Sequence, residues 1–163
     1  MLARSAHILA YLGHQYDKAA ILCEEAVALN SNLALAWHSR GWVTLMCVQP
    51  DRAIESFQTM MRLSPLDPLG GVAKCGIAFA CFQASRYEEK LGIANKLVQT
   101  GAPNAHSFCA YIINAVSLGR PREAADVAAR LQKDEPGFRV ALASVIFPMR
   151  SADMQNNTTS ISE

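Results

Sequence analysis

Apolar positions along this chain recur every three or four residues, and no stretch alternates as a half-buried strand would. After Asp51 they fall at Ala53, Ile54, Phe57, Met60, Met61 and Leu63, a spacing that lays one apolar stripe along a helix. Four segments open such a stretch alike: Tyr16-Asp17-Lys18-Ala19, Pro50-Asp51-Arg52-Ala53, Tyr87-Glu88-Glu89-Lys90 and Pro121-Arg122-Glu123-Ala124. Their fourth residues stand 34, 37 and 34 apart, and the longer interval holds three surplus residues around Pro68-Leu69-Gly70, a place for a longer turn. Pro50 and Pro121 suit a first helical turn, where the missing N–H has no partner to lose. A second helical stretch precedes each start, over residues 2–12, 34–48, 72–84 and 105–118, with Gly13 and Gly119 as stop signals. Asn30-Ser31-Asn32, Ser64-Pro65-Leu66-Asp67-Pro68, Gly101-Ala102-Pro103-Asn104 and Glu135-Pro136-Gly137 supply turn chemistry between the pairs. The pattern predicts an all-α fold of eight antiparallel helices in four hairpins, with a ninth helix over 138–147.

A period near 34 residues with these positions resembles the tetratricopeptide-repeat (TPR) family, whose pattern is W-x-x-L-G-x-x-Y, then A-x-x-x-F, then P. The second unit carries Trp37, Gly41, Ala53, Phe57 and Pro65 in register, and departs at Arg40 and Thr44, where Leu and Tyr are usual. The fourth keeps Ala124 and Pro136 and puts Phe108 in the tryptophan slot. The first keeps Ala19, has Ser31 for proline and one extra residue in its tight turn, Gly13-His14-Gln15-Tyr16. The third is weakest, with Lys90 and Ala94 where Ala and an aromatic are expected. The resemblance implies a right-handed TPR superhelix of about four repeats, over residues 1–33, 34–67, 71–104 and 105–136, in one domain spanning 1–150. Phe138, Val140, Leu142 and Val145 give the ninth helix an apolar face to cap the stack, and Pro148 stops it. The polar segment 151–163 reads as a disordered tail. The chain begins almost inside its first helix with no capping turn, which predicts a sticky N-terminal face and points to a piece of a longer chain.

Two shorter stretches, Arg62-Leu63-Ser64-Pro65-Leu66-Asp67-Pro68 and Pro136-Gly137-Phe138-Arg139, are similar to the C-terminal repeat regions of bacterial adenylate-cyclase-like and winged-helix regulatory proteins. The cyclase and DNA-binding domains of those signalling proteins have no counterpart here, so no catalytic or DNA-contacting residue carries over.

Composition narrows the picture. Apolar residues make up 51% of the 163 and charged residues 18%, below the usual quarter, which excludes a disordered chain. A net charge of +1 gives no global field toward nucleic acid or an anionic membrane. The longest apolar runs, such as 19–23 and 140–147, fall well short of the ~18–20 residues of a membrane span. Five cysteines in irregular spacing (Cys23, Cys47, Cys75, Cys81, Cys109) suggest reduced thiols and a cytoplasmic chain. His7, His14, His38 and His106 share no i, i+4 spacing and stand in no metal-ligand spacing with cysteine. Glu24-Glu25 and Glu88-Glu89 are neighbours on helices and do not face each other. Gly70-Gly71 lacks the Lys-Ser/Thr of a phosphate loop. No enzyme activity, cofactor or metal is expected.

In the TPR family the first helix of each hairpin lines a concave groove for partner peptides. The matching slots here are His38, Trp42 and Leu45, then Val72, Cys75, Phe79 and Phe82, then His106, Cys109, Ile113 and Val116. They lack the Lys, Asn and Arg with which chaperone-binding members clamp a carboxylate, and suit an apolar or amphipathic segment instead. Stripes at helical spacing are more often core than site; the scarcity of charge across these slots favours an exposed apolar groove. The expectation is a non-catalytic protein-interaction module. The alternatives are a self-associating, homodimeric scaffold and a regulatory fragment of a bacterial signalling protein.

Overall fold

The computed structural model describes residues 1–86, 92, 95, 96, 98, 99 and 104–139. Among them are seven helices and no strand: α1 (Leu2–Tyr11), α2 (Tyr16–Leu29), α3 (Ala34–Met46), α4 (Pro50–Leu63), α5 (Gly70–Gln83), α6 (Ala105–Ser117) and α7 (Pro121–Asp134). The all-α expectation holds for these residues. No described helix is long and apolar enough to cross a membrane. Of the predicted helix starting at Tyr87 only residues 92, 95, 96, 98 and 99 are described, and they are helical; the turn before Asn104, residues 140–147 of the capping helix and the tail 151–163 lie outside the described residues. Phe138 and Arg139, where the capping helix was expected to begin, are not helical; Phe138 donates its N–H to the Glu135 carbonyl (2.9 Å) and packs against the core.

The starts follow from local chemistry. Pro50 and Pro121 open α4 and α7. Asn104 caps α6 through a reciprocal pair: its side chain accepts from the Ser107 N–H (3.1 Å) while Ser107 Oγ accepts from the Asn104 N–H (2.9 Å). α5 begins two residues earlier than its apolar pattern predicts, because Asp67 Oδ1 accepts the Leu69 N–H (2.9 Å) and its carbonyl accepts from Gly70 (2.9 Å), folding the loop straight into the helix.

Each tight turn places one residue in the left-handed region: His14, Val48, Ser85 and Gly119. They stand 34, 37 and 34 apart, the spacing of the sequence repeat. The sequence assigned the first stop to Gly13, but the left-handed residue there is His14; Gly13 is needed because a Cβ would lie 2.8 Å from the Leu9 carbonyl oxygen. In the later turns the residue after the left-handed one bonds five residues back, Gln49 to Thr44, Arg86 to Cys81 and Arg120 to Ala115. In the first, Gln15 reaches six back to Leu9, which accommodates the extra residue. Leu9, Thr44, Cys81 and Ala115 are therefore equivalent positions, and the rest of each first helix is in register with them.

Each helix packs on its chain neighbours from α1 to α5 and again from α6 to α7, and the first helices of successive pairs touch: α1 with α3, α3 with α5, α5 with α6. The small residues Ala19, Ala53 and Ala124 are buried and let the paired helices approach. At the centre the ring of Phe57, on α4, is fully buried between two glycines. A Cβ on Gly41 of α3 would stand 2.6 Å from it, and one on Gly76 of α5 would stand 2.4 Å away. Arg40 is buried: its Nε donates to Glu24 (3.0 Å), its Nη1 donates to Ser56 Oγ (3.1 Å), and its guanidinium lies over the Trp37 ring. Thr44 donates its hydroxyl to the Arg40 carbonyl (2.7 Å).

Alanine is the better helix former by about 1 kcal/mol, yet Gly41→Ala or Gly76→Ala will destabilise the fold by about 1–3 kcal/mol through overpacking. Phe57→Ala will cost about 3–5 kcal/mol. Urea unfolding followed by circular dichroism measures both, and Phe57→Leu in the Gly41→Ala background should recover part of the overpacking loss.

Candidate interaction groove

Eleven residues were expected to line the groove, on α3, α5 and α6. His38, Trp42, Leu45, Cys75, Phe79 and Cys109 are buried within the chain itself, whereas Val72, Phe82, His106, Ile113 and Val116 are half-buried. The first set forms a packed floor rather than an open lining. The cause is the close approach of the first helices: Trp42 of the second unit meets the His106 ring of the fourth edge-on at 6.2 Å, and meets Phe57 at 5.4 Å. What stays accessible is a strip on α5 and α6 without a charged side chain among the five.

Rings continue along the floor. Trp42 Nε1 donates to His38 Nε2 at 3.2 Å, which assigns the His38 proton to Nδ1. The His38 ring stacks on His7 of α1 at 6.3 Å with an interplanar angle of 8°, and His7 meets Tyr11 at 6.1 Å. His7 was missing from the sequence-derived groove. It is the register equivalent of Trp42, but the extra residue in the first turn hides that equivalence until the turn's hydrogen bond is known. Burial lowers the His38 pKa to about 4, with a smaller push from His7 and opposition from Asp67. Burial likewise lowers His7 and His106, the latter opposed by Glu135. These imidazoles are neutral packing groups at neutral pH.

The thiols are similarly withdrawn from chemistry. Burial, the largest cause in each case, pushes Cys75 up to about 12 and Cys109 up to about 11, aided by their mutual proximity at Cys75 and by Glu135 at Cys109. Cys23 is pushed up to about 12 by burial and then by Glu24. A thiol held there is a poor nucleophile at neutral pH. None of the five cysteines is in a disulfide. Among the described residues no three His, Cys, Asp or Glu side chains are placed to hold a metal ion. No protein-family model matches the chain, and no curated protein is significantly similar to it.

Because folding lowers the His38 pKa, the unfolded chain binds the extra proton first as pH falls. Stability is greatest above about 6.5 and falls as pH drops toward about 4, the folded value. The loss amounts to roughly 3 kcal/mol. Urea titrations across that window should show it, and His38→Gln should flatten the dependence.

Proposed function

We propose that this chain is a non-catalytic protein-interaction module of the tetratricopeptide-repeat kind, a right-handed superhelix that works in the cytoplasm and takes an apolar or amphipathic segment along the concave side of its first helices. The repeat reading is supported by the recurrence of a left-handed turn residue at 34, 37 and 34 residues, and by side-by-side packing of first helices. The observation that carries the binding reading is the uncharged strip of Val72, Phe82, His106, Ile113 and Val116. It runs along the adjacent helices α5 and α6, over a floor already filled by Trp42, Phe79 and Leu45.

An amphipathic helix laid on such a strip buries its own i, i+3, i+4, i+7 anchors and leaves its polar face in water. The packed floor costs little to organise on binding, since its rings are fixed before a ligand arrives. The withdrawn thiols and imidazoles supply shape and apolar area to this surface, and no step of the reading needs them to react.

Charges at Trp42 or Phe79 would unfold the floor, so the test belongs at the half-buried positions. Helical peptides selected against the protein from a random displayed library should carry an apolar stripe. Phe82→Glu or Val116→Glu should weaken their binding at least tenfold, about 1.4 kcal/mol, with helicity unchanged by circular dichroism. Binding that survives both changes would contradict a groove site.

A further inference from the structure

One hydrogen bond in the floor of the groove has only one workable proton arrangement. The Trp42 indole N–H donates and cannot accept, so the His38 Nε2 that faces it at 3.2 Å must offer a lone pair. Both side chains are buried, His38 at 7% exposure and Trp42 at 5%. A second proton on His38 has to enter at Nε2. There it would set donor against donor, in surroundings of low dielectric that make an unmet donor costly. The bond between the two rings then has to open.

The groups that bear on His38 come from every neighbour of α3. From α1 the His7 ring stacks on it at 6.3 Å and opposes a charge there, with Tyr11 beyond His7. From the loop between α4 and α5, Asp67 favours a charge. α4 turns the apolar Phe57 ring edge-on to the imidazole at 6.3 Å. α5 offers Cys75, the register equivalent of His38, whose thiol burial pushes up to about 12, so it stays protonated in acid. α6 reaches His38 through Trp42, which meets the His106 ring at 6.2 Å; Glu135 favours a charge on His106. On α2, Glu24 is engaged with Arg40 and Arg52. Asp67 is thus the one carboxylate among the described residues that acts on His38, and burial outweighs it.

We infer that His38 is a proton-operated latch on the groove floor: a proton taken up at Nε2 breaks its bond to Trp42 and frees the indole before the helices unfold. The freed indole leaves Phe57 and His106 without an edge-on neighbour, and the floor loosens beneath the strip. The frame outlasts the latch because the slot that holds Phe57, between Gly41 and Gly76, contains no titratable group. The inference concerns the floor alone and does not depend on what the strip binds.

The second tryptophan supplies an internal control. Trp37 Nε1 donates to the Ser31 carbonyl at 2.7 Å, an acceptor that does not titrate. Full-length protein labelled with nitrogen-15 is titrated from neutral pH to below the folded His38 value of about 4. Both indole N–H signals are followed by NMR, and helicity by circular dichroism. The Trp42 signal should shift and exchange faster with water in one step near that value, while the Trp37 signal and helicity hold. In His38→Gln, whose Oε1 accepts from Trp42 at every pH, the step should vanish. Asp67→Asn keeps the oxygen that accepts from Leu69 and should move the step to lower pH. His7→Gln should move it to higher pH, since His7 opposes the charge. A Trp42 signal that holds throughout overturns the inference. So does one that moves only with Trp37 and with loss of helicity, or a step that persists in His38→Gln.

Discussion

Much of the geometry depends on one aromatic ring. Phe57 leaves α4 and enters a slot whose two walls are backbone, at Gly41 on one side and Gly76 on the other. A side chain on either wall would push α3 or α5 outward, so the glycines set how closely three helices from two units approach. The same ring supports Trp42 and His38 edge-on, and so fixes the floor of the groove from beneath. Core packing and the shape of the candidate site are one arrangement.

Contacts between units follow a second rule. The stripe at Ala36, Arg40, Val43 and Cys47 recurs on α5 and α6, and the first and second units each hand a carboxylate forward, Glu24 to Arg40 and Asp51 to Arg86. Arg40 is the costly member, since a buried guanidinium must be matched in full to be tolerated. Glu24, Ser56, Glu55 and the Trp37 face together do so. Asn114 is less well served: its amide N–H groups bond to Ala110 and Ala78, while its Oδ1 is buried with no partner among the described residues. An amide at that position ties α6 to α5 by direction as well as by area.

Most helix starts and the repeat spacing were legible in the sequence because they are local, although α5 starts two residues early and Phe138 starts no helix. Proline at a first turn and an apolar 3.6-residue rhythm need no knowledge of distant residues. The burial of the groove residues was not legible, because it depends on how closely first helices of different units approach. Nothing in the spacing of Trp42 and His106 says that their rings meet. The role of Arg40 was likewise hidden, since its partners Glu24 and Ser56 are distant in sequence. His7 went unseen for a smaller reason, one extra residue in a turn that shifts the register of α1.

The uncharged strip lies over a packed floor, and it owes its shape to how tightly the units are held, and therefore to the ring at their centre. The most direct measurement is the flip rate of the Phe57 ring by NMR with selectively labelled phenylalanine. A ring held between two backbones should rotate slowly and give separate resonances for its two sides at low temperature. A single averaged set, as from a ring turning freely, would contradict the account.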